Sequence, residues 1–443
     1  MEREPMEKSV SSNSDTANFR STNLSHLADD EKDRGSRLDQ WVGKRLLSIL
    51  GNPPIALVVK DRTVIKTCSG RPKNHVIIHD RPALILLLIN PEYFFGALYS
   101  VGRVEVDGDL VDFLCLVNRA LYGKKNGLFA ETVNAWIKRL TIHNNNLHAA
   151  RRNIHHHYDI GNAFYEKWLD TEMQYTCAYY ADPSYTLEQA QLAKMHHVCR
   201  KLRLQPGQTV VEAGCGWGGL ALLMAREYGV NVKAYNISRE QIAYARRRAQ
   251  DEGLHGRVEF IEDDYRNIRG EYDVFASVGM LEHIGINNYK GLGRIIDSCL
   301  KETGIGLIHT IGRNSPDYLN TWIESRIFPG ARPPSISQMM NIFEPQKFSI
   351  LDIENIRLHY AKTLEQWLLR FNNHIDEIRS DYDEEFIRSW RLYLSGSIAS
   401  FYTGNMQLFQ VVFTRSTNNA LPWSRSYLYS QNMSDKEHNN GKL

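Results

Sequence analysis

A chain of 443 residues with 42% hydrophobic, 10% aromatic and 23% charged residues has the make-up of a folded globular protein, which excludes a disordered or collagen-like one. Its length exceeds the roughly 100–200 residues that one core usually organises, so two domains are expected. The formal net charge of +2 excludes a protein-wide field for nucleic acid, leaving only local patches such as the basic stretch from Lys124 to Arg152 to attract a charged surface.

Taken in chain order, residues 1–36 are polar and charged with almost no large apolar side chains. They bury too little to offset chain entropy and are predicted to form a disordered tail. The opening MEREPMEKSVSSNSD lacks the apolar core of a signal peptide. The longest aliphatic run, Ala83 to Ile89, is far short of the ~20 residues that cross a bilayer. The cysteines Cys68, Cys115, Cys177, Cys199, Cys215 and Cys299 are scattered, without the dense spacing of a disulfide scaffold. A cytoplasmic protein is the expectation.

Residues 37–141 carry short β-prone runs, IALVV, TVIKTC, HVIIH and ALILLLI, between turn residues. Asn90-Pro91 then places a cap and an N1 proline before an apolar helix. A small α+β domain is predicted. Residues 142–152, with three asparagines and Arg151-Arg152, read as a linker. From 153 to 415 strands alternate with helices: TVVEA, VNVKAYN, RVEFIED, YDVFASV and GIGLIHTI, with REQIAYARRRAQ among the helical segments. That alternation is the sequence form of a doubly wound parallel α/β sheet, whose ligands bind at the carboxyl ends of the strands. Residues 416–443 read as a second tail.

After TVVEA comes Gly214-Cys215-Gly216-Trp217-Gly218-Gly219, then an apolar helix. Glycines there permit positive φ and close backbone approach, and the helix N-terminus offers free N–H groups. GxGxxG alone also fits a dinucleotide loop or a plain tight turn. The context separates them. A dinucleotide site usually ends its second strand with an acidic residue, whereas Asn236 stands here, followed by Ile237 and Ser238. The third strand closes with Glu262-Asp263-Asp264-Tyr265, where a carboxylate can accept from an adenine amino group and a ring can pack on the base. S-Adenosylmethionine is favoured over NAD.

These residues resemble the cyclopropane-fatty-acyl-phospholipid synthases and the related mycolic acid cyclopropane synthases. The resemblance is carried by HHHYDIGNAFYEKWLD from His155, MQYTCAYY from Met173, VEAGCGWGG, NISREQ, VGMLEHIG, LIHTIG, RIFPG and LFQVVF, in the family's order. VEVDGDLVDF in the first domain is similar to the lipid-binding domain of phospholipid-acting members. The resemblance implies a Rossmann-like class I methyltransferase domain behind a small α+β lipid-binding domain. It implies an enzyme, with S-adenosylmethionine held by Tyr175, Thr176, Glu212, Gly214, Gly216, Trp217, Gly218, Gly219, Asn236, Ile237, Ser238, Gln241, Asp264 and Tyr265.

It further implies a bound bicarbonate at Cys177, Glu282, His309, Ile311 and Tyr360. His309 and Tyr360 are expected to donate to the anion, Glu282 to orient the histidine or accept its proton, Ile311 to act through its backbone, and Cys177 to border the pocket. The implied partners are unsaturated phospholipid acyl chains at the inner face of the cytoplasmic membrane, and the family often forms homodimers. Two positions depart from the family pattern: Asn236 stands where threonine is usual, and Ser397 where many members carry cysteine.

Other outcomes share parts of this pattern. The same substrate cation can lose another proton and leave a methyl or methylene branch, the methyl can go to a small molecule, or the domain can be an inactive lipid binder. Plainer readings stand beside the sharp ones. His155, His156 and His157 are adjacent and lack zinc spacing, so no metal is expected. Cys177 by itself suits a small buried hydrophobe. Lys124, Lys125, Lys138, Arg139, Arg151 and Arg152 suit a solvated face as well as a membrane patch, and Trp367, Leu368, Leu369 and Phe371 suit a core helix.

Overall fold

The aliphatic run Ile55–Val59 (β1) pairs on both sides, antiparallel with Thr63–Lys66 (β2) and in parallel with Asn74–Ile78 (β3). Val104–Asp107 (β4) joins β3, giving the order β2-β1-β3-β4. In this computed structural model the described residues are 36–60, 63–67, 71–123 and 160–428. The linker, the basic stretch beyond Lys124, the three histidines and the outer parts of both tails lie outside them. The run ALILLLI, expected as a strand, is instead the core of the helix Arg81–Ile89. Its apolar residues are continuous, so periodicity does not distinguish strand from helix there. The deciding signals are Asp80, whose carboxylate accepts the Ala83 N–H at 2.8 Å, and Pro82 in the first turn. Asn90 caps the helix Pro91–Ser100 by accepting the Tyr93 N–H at 3.1 Å.

The second sheet has seven strands: Thr209–Ala213 (β5), Asn231–Asn236 (β6), Val258–Glu262 (β7), Tyr272–Val278 (β8), Leu300–Gly312 (β9), Phe348–Asn355 (β10) and Gln407–Arg415 (β11). Their order is β10-β11-β9-β8-β5-β6-β7. β11 alone runs antiparallel to its neighbours β9 and β10. The chain winds from β5 outward to β7, then restarts at β8 on the other side, so a crevice opens at the carboxyl ends of β5 and β8. Side-chain alternation divides the core between two faces. Val210, Ala276 and Leu307 pack on one face, Val211, Phe275 and Ile308 on the other.

Helix Glu384–Tyr402 packs against both Pro91–Ser100 and Leu110–Gly123. Arg388 on it donates to the carbonyls of Tyr99 at 2.6 Å and Val104 at 3.2 Å. The same helix carries Tyr393, Ser397 and Phe401 toward the crevice. Residues 416–428, expected as tail, are fastened to the body: the Asn418 amide donates to Thr303, Arg203 donates to Ala420, Arg425 pairs with Asp352, and Leu428 is buried. One backbone carbonyl, two polar side chains and one leucine find partners that composition does not reveal.

Beside β10, the buried Lys201 lies 2.6 Å from Glu354 and 3.1 Å from Asp352, and His197 lies 2.7 Å from Glu354. These partners hold the Glu354 carboxyl down at about 2 against burial, which raises it. Glu354→Gln is expected to lower stability by ~3 kcal/mol, because Lys201 keeps its buried charge and loses a carboxylate. With a depressed pKa, this contribution is complete above the ordinary value of 4.5 and disappears as pH falls through about 2. Urea titrations of both proteins at pH 7 and pH 2 check it: the gap closes in acid.

Candidate active site

The loop after β5 is pinned to β6 by two backbone bonds, from Gly214 N–H at 2.8 Å and Cys215 N–H at 3.1 Å to the Tyr235 carbonyl. Gly218 has φ +84°, and a Cβ there would lie 2.6 Å from the Phe260 ring. Only glycine fits both demands. At Gly216, φ is +54° and a Cβ would meet nothing within 4 Å, so the backbone borders open space on the ligand side of the loop. Asn236, at the end of β6, donates to the Gly216 carbonyl at 3.3 Å and to Gln241 at 2.7 Å, and accepts the Ser238 N–H at 3.3 Å. Asn236 therefore fastens the loop to the N-terminus of helix Arg239–Asp251. Ile237 is half-buried between them.

Asp264 closes β7 with its carboxylate accepting from Arg266 through the backbone at 2.9 Å and the guanidinium at 3.0 Å. The Arg266 guanidinium also lies 5.0 Å from the Tyr265 ring centroid. Lone pairs remain on both Asp264 oxygens for a ligand donor. Trp217 turns inward, donating to Asn162 at 2.8 Å with its ring 5.1 Å from Tyr165. It supports the loop from the core side.

Glu212, on β5, is buried, and its Oε2 has no protein hydrogen-bond partner. Burial lifts its pKa to about 7, opposed by Lys194. An unpartnered buried carboxylate beside an open glycine turn suits a ligand with cationic groups. The residues present therefore fit S-adenosylmethionine.

Next to this cradle lies a cavity of about 70 Å³. One water needs ~10–15 Å³ on this measure, so a small anion fits. It is lined by all five residues of the expected anion site, Cys177, Glu282, His309, Ile311 and Tyr360, together with Tyr175 and Thr176. The five come from four parts of the chain: the segment after Met173, helix Leu281–Ile284 after β8, strand β9, and helix Arg357–Asn373 after β10. Gly279 lets the end of β8 approach, since a Cβ there would lie 2.8 Å from Thr176. Aromatic rings close the walls. Tyr175 stands 5.3 Å from both Trp168 and Trp367 and shares a 2.8 Å hydroxyl bond with Tyr393. The Tyr360 and Phe401 rings are 4.7 Å apart, and Phe328 meets Tyr393 edge-on at 5.3 Å.

The expected pairing of Glu282 with His309 is replaced by another. Glu282 accepts from the Thr310 hydroxyl at 2.7 Å and from the Ile311 N–H at 3.4 Å. Adjacent residues of β9 face opposite sides of the sheet. Thr310 therefore shares the side of Ile308, where Leu281 and Ile284 of the short helix pack, while His309 shares that of Leu307. There it stands in register with Gln410 of β11, whose amide nitrogen lies 3.1 Å from Nδ1. An amide nitrogen donates, so in this arrangement Nδ1 accepts and the proton sits on Nε2. His309 Nε2 is buried with no protein partner, and burial holds the ring neutral by lowering its pKa to about 3. A neutral N–H at a buried cavity wall fits a small anion such as bicarbonate. The Ile311 backbone N–H, expected at the anion, is directed to Glu282.

Burial also pushes Glu282 above the usual carboxylate range and the Cys177 thiol well above its ordinary value. Cys177 is fully buried with its Sγ 3.1 Å from the Ala178 carbonyl. The native protein at pH 8 is expected to leave Cys177 unmodified by iodoacetamide, as mass spectrometry of the digest would show. Alkylation at a rate typical of a free thiol would contradict this. Among the described residues no group of three or more His, Cys, Asp or Glu is placed to hold a metal ion, and no helix is long and apolar enough to cross a membrane.

Residues 143–411 match the family described as mycolic acid cyclopropane synthetase. A Pseudomonas putida protein described as a probable fatty acid methyltransferase is 33% identical over 365 residues, covering 80% of this chain and 91% of the relative. The cyclopropane-fatty-acyl-phospholipid synthase of Escherichia coli (strain K12) is 42% identical over 270 residues, 61% of this chain and 69% of that protein. Among solved structures, a cyclopropane synthase from Mycobacterium tuberculosis superimposes with a TM-score of 0.57 at 28% identity, over 60% of this chain and 98% of that one. A mycolic acid cyclopropane synthase complexed with SAH and CTAB gives 0.57 at 27% identity, again over 60% of this chain and 98% of the other. With its seven-stranded sheet and open glycine loop, the chain is a class I S-adenosylmethionine-dependent methyltransferase, and it belongs to the mycolic acid cyclopropane synthetase family.

Proposed function

We propose that this enzyme transfers a methylene group from S-adenosylmethionine to the cis double bond of an unsaturated phospholipid acyl chain, forming a cyclopropane. The observation that carries the reading is the convergence of Cys177, Glu282, His309, Ile311 and Tyr360 on one partly open cavity beside Thr176 and the glycine loop. Bound adenosylmethionine supplies an electrophilic methyl group. Bicarbonate, where bound, supplies a base that a neutral histidine and a tyrosine can hold.

The chain's own residues perform the rest. The alkene, a poor nucleophile, must be held in line with the methyl, and Tyr175, Phe328 and Phe401 form the apolar walls that orient it. With adenosylmethionine held in the cradle, the π electrons would form the new carbon–carbon bond as the methyl left sulfur, and the residues around the cavity would face the resulting substrate carbocation. Buried rings keep water from that cation, and Glu282 faces it with a carboxylate oriented by Thr310. One proton then leaves the transferred carbon, and the electron pair closes the ring. His309 Nε2 and Tyr360 would hold the base that receives that proton.

The first domain, residues 37–141 in this reading, is assigned to lipid contact. Leu38, Trp41, Ile85 and Ile89 are exposed on two helices that pack on one another, a surface suited to the edge of a bilayer. In this reading the enzyme works at the inner face of the cytoplasmic membrane. Incubation with adenosylmethionine and liposomes of oleoyl or vaccenoyl phospholipid tests the reaction. A gain of one CH2 per modified chain is expected, and unmodified fatty acids would exclude it. A second reading, a methyl- or methylene-branched product, draws on the 33% identity to the P. putida protein described as a fatty acid methyltransferase. Olefinic signals in the product NMR spectrum would select it.

A further inference from the structure

Lys194 is a lysine with no exposed surface, on helix Leu187–Lys201 beneath the cofactor loop. Its Nζ lies 2.5 Å from Gln174 Oε1 and 2.9 Å from Thr176 Oγ1. One turn earlier, Gln191 donates to the carbonyls of Gln174 at 3.1 Å and Thr176 at 2.8 Å. The helix thus grips the 174–176 segment through both backbone and side chains. That segment touches the cofactor loop as well, since a Cβ on Gly219 would lie 2.5 Å from Gln174 Nε2. Burying an ammonium is costly unless its charge is matched, and neither direct partner is charged. The balancing carboxylates are Asp170 and Glu212, the latter with its unpartnered oxygen.

We propose that Lys194 is a positioning residue of the cofactor site: it locks Gln174 and Thr176 against the glycine loop, and its buried ammonium balances the unpartnered Glu212 carboxylate that receives the cationic part of the ligand. The inference rests on the cofactor reading of this loop and adds a residue outside every motif that marks it. Glu212 is faced by Lys194 and Cys199 from the helix and by Cys215 from the loop, while Lys194 is also faced by Asp170, Cys177, Cys199 and, on the same face of the sheet, His309. Burial keeps the thiols protonated and His309 neutral, and Asp170 titrates at about 6. Glu212 at about 7 and Lys194 at about 8 are the members of this cluster that titrate nearest neutral pH.

The test is calorimetric binding of S-adenosylmethionine to the full chain without lipid, from pH 6 to pH 9, for the wild type and for Lys194→Met, Lys194→Arg and Glu212→Gln. Wild-type affinity is expected to rise as pH passes about 7, where Glu212 ionises, and to stop rising near 8, where Lys194 loses its proton. Lys194→Met should weaken binding at pH 7.5 by about tenfold or more, the size of one lost charge-assisted hydrogen-bond set. It should also move the step to higher pH. Lys194→Arg should restore the step, and Glu212→Gln should abolish it. If Lys194→Met does not fold, Lys194→Gln, which keeps a donor for Thr176 and lacks the charge, carries the same expectation. A folded, uncharged variant that binds more weakly with its step unmoved would reduce Lys194 to a packing role and overturn the proposal, as would one that binds like the wild type. Absence of binding by the wild type would instead sink the cofactor reading itself. The lipid reaction proposed above is read out separately.

Discussion

Glu282→Gln and His309→Ala are expected to lower turnover by about 10²–10³-fold each while leaving the dissociation constant of S-adenosylmethionine within about twofold of the wild-type value. The reason is location. Both side chains line the cavity beyond Thr176, whereas the loop, Asn236 and Glu212 build the cradle on the other side. Glu282→Gln removes the negative charge facing the substrate cation. It also places an amide where Thr310 and the Ile311 N–H both donate, so one of those donors loses an acceptor. His309→Ala removes the Nε2–H and leaves the Gln410 amide facing a void. Single-turnover rates and equilibrium binding, measured on the same preparations, separate the two quantities. Equal losses in both would move these residues into the cofactor cradle and undo the division of the site.

Gly218→Val is expected to destabilise the protein by about 3 kcal/mol and to eliminate cofactor binding. A β-branched residue in the left-handed region costs ~1–2 kcal/mol. Forcing its side chain into a packed core adds ~1–3 kcal/mol. The clash is well defined: a Cβ would meet the Phe260 ring at 2.6 Å and Ala245 at 2.9 Å. Gly216→Ala is the contrasting case. Nothing stands within 4 Å of its Cβ position, so its cost is only the backbone's, ~1 kcal/mol, while the methyl group enters the ligand's space. Thermal unfolding should therefore penalise Gly218→Val far more, whereas calorimetry should show weakened adenosylmethionine binding in both. Wild-type affinity in Gly216→Ala would mean that the ligand does not approach the loop there.

Much of this was legible in the amino-acid order because it was written in local signals. β5 to β9 are short β-branched runs separated by helical stretches, and the glycines between β5 and its helix answer a backbone demand that other residues meet poorly. The misreadings arise where local signals are silent. The run ALILLLI has no periodicity, and only Asp80 and Pro82 reveal its helix. Residues 416–428 look like a tail because their anchors, Thr303, Arg203 and Asp352, are distant in sequence.

The site divides in the same way. The motif matches locate Glu282 and His309, but which partner each takes depends on sheet alternation and on the register of β9 with β11. Gln410 left a trace, being the one amide inside the apolar LFQVVF. Thr310 left a weaker one, since a threonine is at home in any strand. Lys194, in QLAKMHHV, reads as an ordinary solvated helix lysine. Its burial is a tertiary fact. Tyr393, Phe328 and Ser397 reach the cavity from elements whose approach no local pattern records.

In the proposed reaction a base-holding cavity beside the cofactor converts an olefin-derived cation into a ring. Its most direct test uses S-adenosylmethionine bearing a CD3 group with monounsaturated phospholipid liposomes, followed by mass and deuterium NMR analysis of the recovered acyl chains. Chains carrying CD2 in a cyclopropyl environment are expected, the third deuteron having been lost inside the site. Chains that retain an intact CD3 branch, or lipid that carries no label, would contradict it.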